Sequence, residues 1–393
     1  MSMITAGIVA EYNPFHNGHK YMIEQVREKG ATHVVAVMSG AIVQRGDIAV
    51  FDKHFRAQKA VENGVDLVIE LPFPFSCSSG EVFASSSISI LSGLGDGVIN
   101  HLAFGCECDS MSLLKKAADA SIELKNSELV RKKLAKGLSY PASVCQAACE
   151  EYGDDVGDVL KSPNNTLAVE YIKAAKEIMS NAEFIPIKRQ YAEHDSSQTF
   201  EGIASASYIR ELIYDKNCAE LFCPYSIENE PQFFLENMER EILFQLSCGE
   251  KADFEKLSDC SSKLADKMVK VMSECPDSLK KFFELCKSKD LTMARLRRVI
   301  MHYILGARKC DIISPPYVRI LAFNKRGTEI LNKCGGKLPI DTSLKALENS
   351  SKEAKKIIHL ENNGVHFQQA CAKEKYSPEN EYKKSVRIID RRN

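Results

Sequence analysis

Long apolar runs are missing. No stretch of this 393-residue chain approaches the ~20 consecutive apolar residues that a membrane-spanning helix needs, so no membrane partner is expected. The opening MSMITAGIVAEYNPF lacks a basic start and a small-residue cleavage site, so no signal peptide is expected either. Charge is nearly absent in sum: 52 Lys and Arg meet 53 Asp and Glu, a formal net of -1. Whole-chain electrostatics therefore does not attract a polyanion, and a nucleic-acid contact needs a local patch. There is no GK[ST], which removes a Walker A loop, and no GxGxxG, which removes the dinucleotide fingerprint. Neither an internal repeat nor a low-complexity tract interrupts the chain. Cysteine is not scarce, at fourteen residues. Without an export signal these are expected to be reduced thiols of a cytoplasmic protein. Cys106-Glu107-Cys108 has the wrong spacing for a zinc ribbon and no second close pair nearby, so no metal ligands are assigned.

What is present is a globular composition, 44% hydrophobic and 27% charged, at a length that suggests more than one domain. ITAGIVAEY, HVVAVMS, VDLVIELP and GVINHLAFG are short Val- and Ile-rich runs suited to strands covered on both faces. Between the first two, Met22, Ile23 and Val26 have helical spacing and Gly30 marks a stop. Between the next two, Asp52 and Gly64 bracket a second helix. This alternation predicts an α/β fold with a doubly wound parallel sheet over residues 1–225. The stretch from about 107 to 160 reads as a helical insertion, before FIPIKR returns to the sheet. Residues 226–393 read as a mainly helical C-terminal region.

The sequence AEYNPFHNGHK follows the first strand. In an open parallel sheet, ligands bind beyond the carboxyl ends of strands, where the first strand hands over to its helix. Asn13 and Pro14 fix a turn there, and Gly18 permits close backbone approach. His16 and His19, three apart at a helix start, share a face and can donate to a phosphate. Backbone N–H groups near Gly18 are expected to help.

At these residues the chain resembles a family. Phe15-His16-Asn17-Gly18-His19 is similar to the HxGH signature of nucleotidyltransferases. The wider sequence resembles the bacterial tRNA(Met) cytidine acetate ligases through GIVAEYNPFHNGHKYMI, VMSGAIVQRGDIAVFDKHFRAQKAVENGVDLVIELPFPFS, SPNNTLAVEYIKA, IPIKRQYAEHD, IASASYIREL and PPYVRILAFNKRG. The resemblance implies ATP binding through Gly7-Ile8-Val9-Ala10-Glu11-Tyr12-Asn13-Pro14-Phe15-His16-Asn17-Gly18-His19-Lys20. It adds Gly105 after the fourth strand, Asn164 or Asn165 at a helix start, and Arg189 with Lys188 beside it. Ser205-Ala206-Ser207-Tyr208-Ile209-Arg210 resembles the second phosphate motif, S-S-T-x-x-R, with Ala206 in place of a serine; by its residues alone it is an ordinary capping sequence. Ser205 and Ser207 are thus implied nucleotide contacts, and His16, His19 and Arg210 the catalytic set. Arg45 and Lys53, in the next charged loop, are open between phosphate or substrate contact and a solvated turn.

The implied reaction joins acetate to the α-phosphate of ATP, with magnesium. It then transfers acetyl to the wobble cytidine of elongator tRNA(Met). His194-Asp195 is open between a role in that transfer and a structural one. Between Lys289 and Lys333, ten basic residues stand against Asp290, Asp311 and Glu329, a local net of +7. Arg295, Arg298, Lys325 and Arg326 are therefore the expected tRNA contacts, with His302 on the same helical face as the first two. Two other readings remain: an adenylyltransferase for a phosphorylated small molecule, and a nucleotide- or RNA-binding protein without catalysis.

Overall fold

The computed structural model describes residues 3–189, 202–288 and 291–390. β1 (Thr5–Ala10) leads through α1 (Asn17–Glu28) to β2 (His33–Ser39). A tight hairpin, β3 (Ile42–Val43) with β4 (Asp47–Ile48), precedes α2 (Lys53–Glu62) and β5 (Leu67–Leu71). Asp52 caps α2 as expected, its carboxylate accepting from the His54 amide at 2.8 Å. α3 (Gly80–Gly93) and β6 (His101–Cys106) complete the first units. The expected insertion is four helices, α4 (Met111–Leu124), α5 (Glu128–Ala135), α6 (Tyr140–Tyr152) and α7 (Asp154–Val159). α8 (Pro163–Ile178) then feeds β7 (Glu183–Lys188), the strand read from FIPIKR.

β5, β2, β1, β6 and β7 lie side by side in that order, all parallel. The order reverses at β1 and β6, so the crevice between their carboxyl ends is the switch point where such sheets bind ligands. Alternation explains the two covers. Val34, Ala36 and Met38 of β2 face α1 and α2, whereas Val35 and Val37 join the larger core containing α3 and α8. Because β2 is buried on both faces, its sequence is apolar throughout rather than alternating.

After α9 (Ala206–Tyr214) the chain builds a helical body from α10 (Glu239–Ser247), α11 (Lys251–Phe254), α12 (Ser262–Ser273), α13 (Leu279–Cys286) and α14 (Met293–Leu305), with its own core. The sheet nevertheless crosses the division expected at residue 225. β8 (Val318–Asn324) pairs antiparallel with β5, and β9 (Ile340–Asp341) and β10 (Arg387–Ile389) pair parallel with β8. Thus the region read as mainly helical also supplies three strands. α15 (Lys325–Leu331), α16 (Leu344–Glu348) and α17 (Lys352–Ala370) connect and cover them. Among the described residues no helix is long and apolar enough to cross a membrane.

Candidate active site

His16 is the N-cap of α1, and its ring turns back onto the helix start. Its Nδ1 accepts from the Gly18 amide at 3.1 Å, while His19 Nδ1 accepts from the His16 amide at 3.3 Å. A side chain at Gly18 would meet the His16 ring at 2.9 Å, so glycine is required for this return. Both Nδ1 atoms are acceptors, which places each ring proton on Nε2. The rings lie 3.8 Å apart, centroid to centroid, tilted by 30°. The Gly18 amide expected to hold a phosphate is therefore already used: it fixes the tautomer of His16 instead.

Burial lowers the His16 pKa to about 3, assisted by the charges of Arg189 and Arg210. His19 is held well below its usual range by burial, by His16 and by Arg189. At neutral pH both rings are neutral Nε2–H donors. They can stabilise negative charge without repelling one another.

The rest of the first turn is anchored outward. Tyr12 takes a left-handed backbone, φ 46°, and its ring meets His19 edge-on at 4.9 Å. Asn13 Oδ1 accepts from the Val50 amide at 2.8 Å, and the Asn13 carbonyl accepts from Arg210 Nη1 at 2.8 Å. Asn17 donates to the carbonyls of Gly202 and Leu221, and the Phe15 carbonyl accepts from the Tyr225 hydroxyl at 2.7 Å. Arg210 thus reaches the turn from α9, whose N-cap Ser205 accepts from the Tyr208 amide. Ser207 lies in the first turn of α9, and Lys20 is exposed on α1. Gly7 and Ile8 are buried within β1, while Val9 and Ala10, at its carboxyl end, are half-buried. Gly7 has Leu91 against it, where a Cβ would come within 2.7 Å, and Ile8 faces the α1–α2 core, so these two serve packing.

Across the switch point, Arg189 follows β7 and its stem lies over Gly105, 3.4 Å from where a Cβ would sit. Its Nη1 donates to Asn164 Oδ1 at 2.6 Å, and Asn164 donates to Glu107. Asn165 is different. It is buried, and its Oδ1 accepts from the Glu107 and Cys108 amides at 2.8 and 3.0 Å. Asn164 therefore faces the site and Asn165 holds the loop that shapes it. Lys188 is exposed and paired with Asp109 at 2.9 Å. Burial lowers the Arg189 pKa, the charge of Glu107 opposes this, and the charge of Arg45 adds to it. Two Nε2–H donors, with the charges of Arg189 and Arg210 bearing on His16, are chemistry suited to an anion.

Several expected contacts fall elsewhere. Lys53 is buried, bonded to Glu70 and, at 2.9 and 3.1 Å, to Glu361 and Glu381. It has no phosphate role because its donors are already occupied. His302 is buried with Nε2 2.7 Å from the Cys77 carbonyl, and Arg298 is buried against Asp259. Arg295 Nε donates to the Asp259 carbonyl at 2.7 Å. Lys325 and Arg326 are exposed, but they follow Asn324, whose amide bonds to the Asp66 carbonyl at the amino end of β5. They sit at the end of the sheet opposite the histidines, roughly 20 Å away at ~3.3 Å per strand residue. His194, Asp195 and Lys289 lie outside the described residues.

The sequence reading missed Arg56, the floor of the site. Fully buried, it donates to the carbonyls of Phe51, Glu11 and Ser39 at 3.0, 2.6 and 3.1 Å, and to that of Gly40. It ties the ends of β1 and β2 together. Glu107 and Tyr225 were missed as well; both act by holding site residues in place.

A family model described as HIGH Nucleotidyl Transferase matches residues 3–383. A tRNA(Met) cytidine acetate ligase of Clostridium perfringens is 34% identical over 354 residues, covering 84% of this chain and 87% of that one. One from Caldicellulosiruptor saccharolyticus is 34% identical over 388 residues, covering 91% and 92%. The crystal structure of Thermotoga maritima TmcAL bound with alpha-thio ATP superposes with a TM-score of 0.87 at 29% identity, covering 99% of this chain and all of that one. The chain belongs to the HIGH nucleotidyl transferases and, within them, to the tRNA(Met) cytidine acetate ligase family.

Proposed function

We propose that the chain is an ATP-dependent ligase that activates acetate as acetyl-adenylate. It then acetylates N4 of the wobble cytidine of elongator tRNA(Met). The observation that carries this is the pair of neutral, tautomer-fixed histidines at the switch point, facing the same region as Arg189 and Arg210. The family relatives and the nucleotide-bound Thermotoga maritima structure support it.

In the first step an acetate oxygen attacks the α-phosphorus of ATP, and pyrophosphate leaves. Acetate is already anionic, so this step needs alignment and charge stabilisation rather than a general base. His16 and His19 supply Nε2–H donors, and Arg210 and Arg189 supply charge. Asn164 orients Arg189, and Arg56 holds the ends of β1 and β2 in register. In the second step the cytidine amine attacks the acetyl carbonyl, releasing AMP and a proton. Among the described residues no group of three or more His, Cys, Asp or Glu could hold a metal ion. Magnesium would come with the nucleotide, whose phosphate oxygens suit it.

The test is incubation with ATP, magnesium, labelled acetate and tRNA, followed by nucleoside analysis. A His16→Ala His19→Ala variant runs beside it. Labelled N4-acetylcytidine, lost in the variant, is the expected result. Acetate-independent ATP turnover onto another acceptor would replace this reading with the small-molecule adenylyltransferase.

A further inference from the structure

The Arg295-Leu296-Arg297-Arg298 stretch opens α14, and its outer two arginines are both engaged by Asp259. Arg297 is not. It lines a cleft of about 410 Å³ with Phe283 and Leu279 from α13, Met293 from its own helix and Asp47 from the β3–β4 hairpin. Its guanidinium carbon stands 5.6 Å from the centroid of the Phe283 ring. Its Nε is buried and has no hydrogen-bond partner among the described residues.

The hairpin joins this cleft to the catalytic region. On one side the Gln44 amide donates to Glu11, just past β1, at 2.9 Å. On the other side Gly46, at φ +74°, packs so tightly on α14 that a Cβ would lie 2.4 Å from the Arg298 amide. Asp47 then lines the cleft. One short turn separates the two places.

The chemistry of the cleft suits a flat, aminated ring. Phe283 and the guanidinium plane of Arg297 offer stacking faces, and Leu279 and Met293 offer apolar walls. Asp47, with Glu239 and Glu284 at the same cleft, can accept from an exocyclic amine, and Lys280 and Lys287 are exposed beside it. These lysines can meet backbone phosphates, while the carboxylates disfavour burying a phosphate in the cleft itself. The volume exceeds that of a single base, and in a single-stranded loop the bases beside the reactive one can be splayed out as well.

We propose that this cleft receives an unstacked base next to the cytidine that reacts. The proposal rests on the reading above that the acceptor is a tRNA. It assigns Phe283 and Arg297 a binding role in the second step and none in adenylate formation.

The experiment uses the full chain and RNA hairpins carrying 2-aminopurine at each loop position beside the reactive cytidine. Acetate-dependent ATP–pyrophosphate exchange and tRNA acetylation kinetics are measured in parallel. Wild type should quench 2-aminopurine at one position. Phe283→Ala should abolish that quenching and raise KM for tRNA about 5- to 150-fold, the range of one lost base stack. Exchange should be unchanged, which also shows that the variant is folded. Met293→Trp fills the cleft without removing a packed ring and should act in the same way. Arg297→Lys keeps the charge but loses the plane, so it should not restore wild-type KM. An unchanged KM in Phe283→Ala and Met293→Trp, with no quenching at any position in wild type, overturns the cleft. Quenching and exchange without acetylation leaves the cleft standing and overturns the assigned acceptor chemistry.

Discussion

Two clusters of buried polar groups stand at the carboxyl end of the sheet, and they differ in what satisfies them. Around Lys53 every charge has protein partners: Lys53 meets Glu70, Glu361 and Glu381, and Arg319 meets Glu70 and Glu381 at 3.2 and 2.8 Å. His54 Nε2 lies 2.9 Å from Glu381, and Lys384 bonds to Asp52. Around His16 and His19 the hydrogen bonds to the protein among the described residues are made by Nδ1, which leaves each Nε2–H as a donor. A network in which opposite charges meet holds a fold together, even though Arg319 Nε and His54 Nδ1 make no hydrogen bond there, whereas donors with only positive neighbours suit an anion. Burial by itself does not tell the two apart; the presence of opposite charge beside each buried group does.

This contrast can be broken by mutation. Lys53→Met should cost the most stability, about 3–5 kcal/mol, because it leaves Glu70, Glu361 and Glu381 without their shared cation. Denaturant melts would show it, and a loss under 1 kcal/mol would mean that the network is looser than its geometry. His19→Ala should lower acetate-dependent exchange by about 10²–10³-fold, some 3–4 kcal/mol of transition-state stabilisation, with a much smaller change in melting temperature. Equal losses in both measurements would erase the distinction.

A finer test separates two neighbouring asparagines. Asn165→Ala removes the acceptor of two loop amides and should cost about 1–3 kcal/mol of stability. Asn164→Ala should leave stability nearly unchanged and raise KM for ATP. A reversal would exchange the roles assigned to them.

The smallest expected effect is a change in pH dependence. Burial and the neighbouring Glu70 push the Glu361 carboxyl up to about 7. Between roughly pH 4.5, where an unfolded glutamate titrates, and 7, the native state then binds more protons than the unfolded state. Glu361 thus contributes a loss of stability as pH rises through that window. His16 works the other way. Held at about 3, it binds fewer protons when folded, so its contribution rises with pH between about 3 and 6.5. Melting temperatures at pH 5.5 and 7.5 should therefore shift in opposite senses, relative to wild type, in Glu361→Gln and His16→Ala. A shift of the same sign in both would refute the assignment.

The sequence shows the five parallel strands clearly because each is a short β-branched run between turn residues. The histidine pair is legible for a different reason: a Pro, a Gly and two histidines break the first strand at the place where such sheets bind ligands. The network was missed because Lys53 is open, by its sequence, between phosphate or substrate contact and a solvated turn, and Glu361 and Glu381 lie about three hundred residues downstream. A signal was nonetheless present. Glu70 in LVIEL and Arg319 in VRILAFN each put a charge inside an apolar strand, and a buried charge needs an opposite one. The same segment hid β8: its surroundings are basic enough to suggest a nucleic-acid surface, although Arg319 is entirely enclosed. Nor could the sequence alone decide between Asn164 and Asn165, since only the position of Glu107 distinguishes them.

β8 has a further meaning for a chain made one residue at a time. When the first 225 residues have left the ribosome, all five parallel strands exist, yet the outer edge of β5 has no neighbour until residues 318–324 follow. Until then Lys53 and Glu70 face each other without Arg319, Glu361 or Glu381. The segment that carries the histidines therefore keeps an open sheet edge and an incomplete set of charges until its distant downstream strand follows.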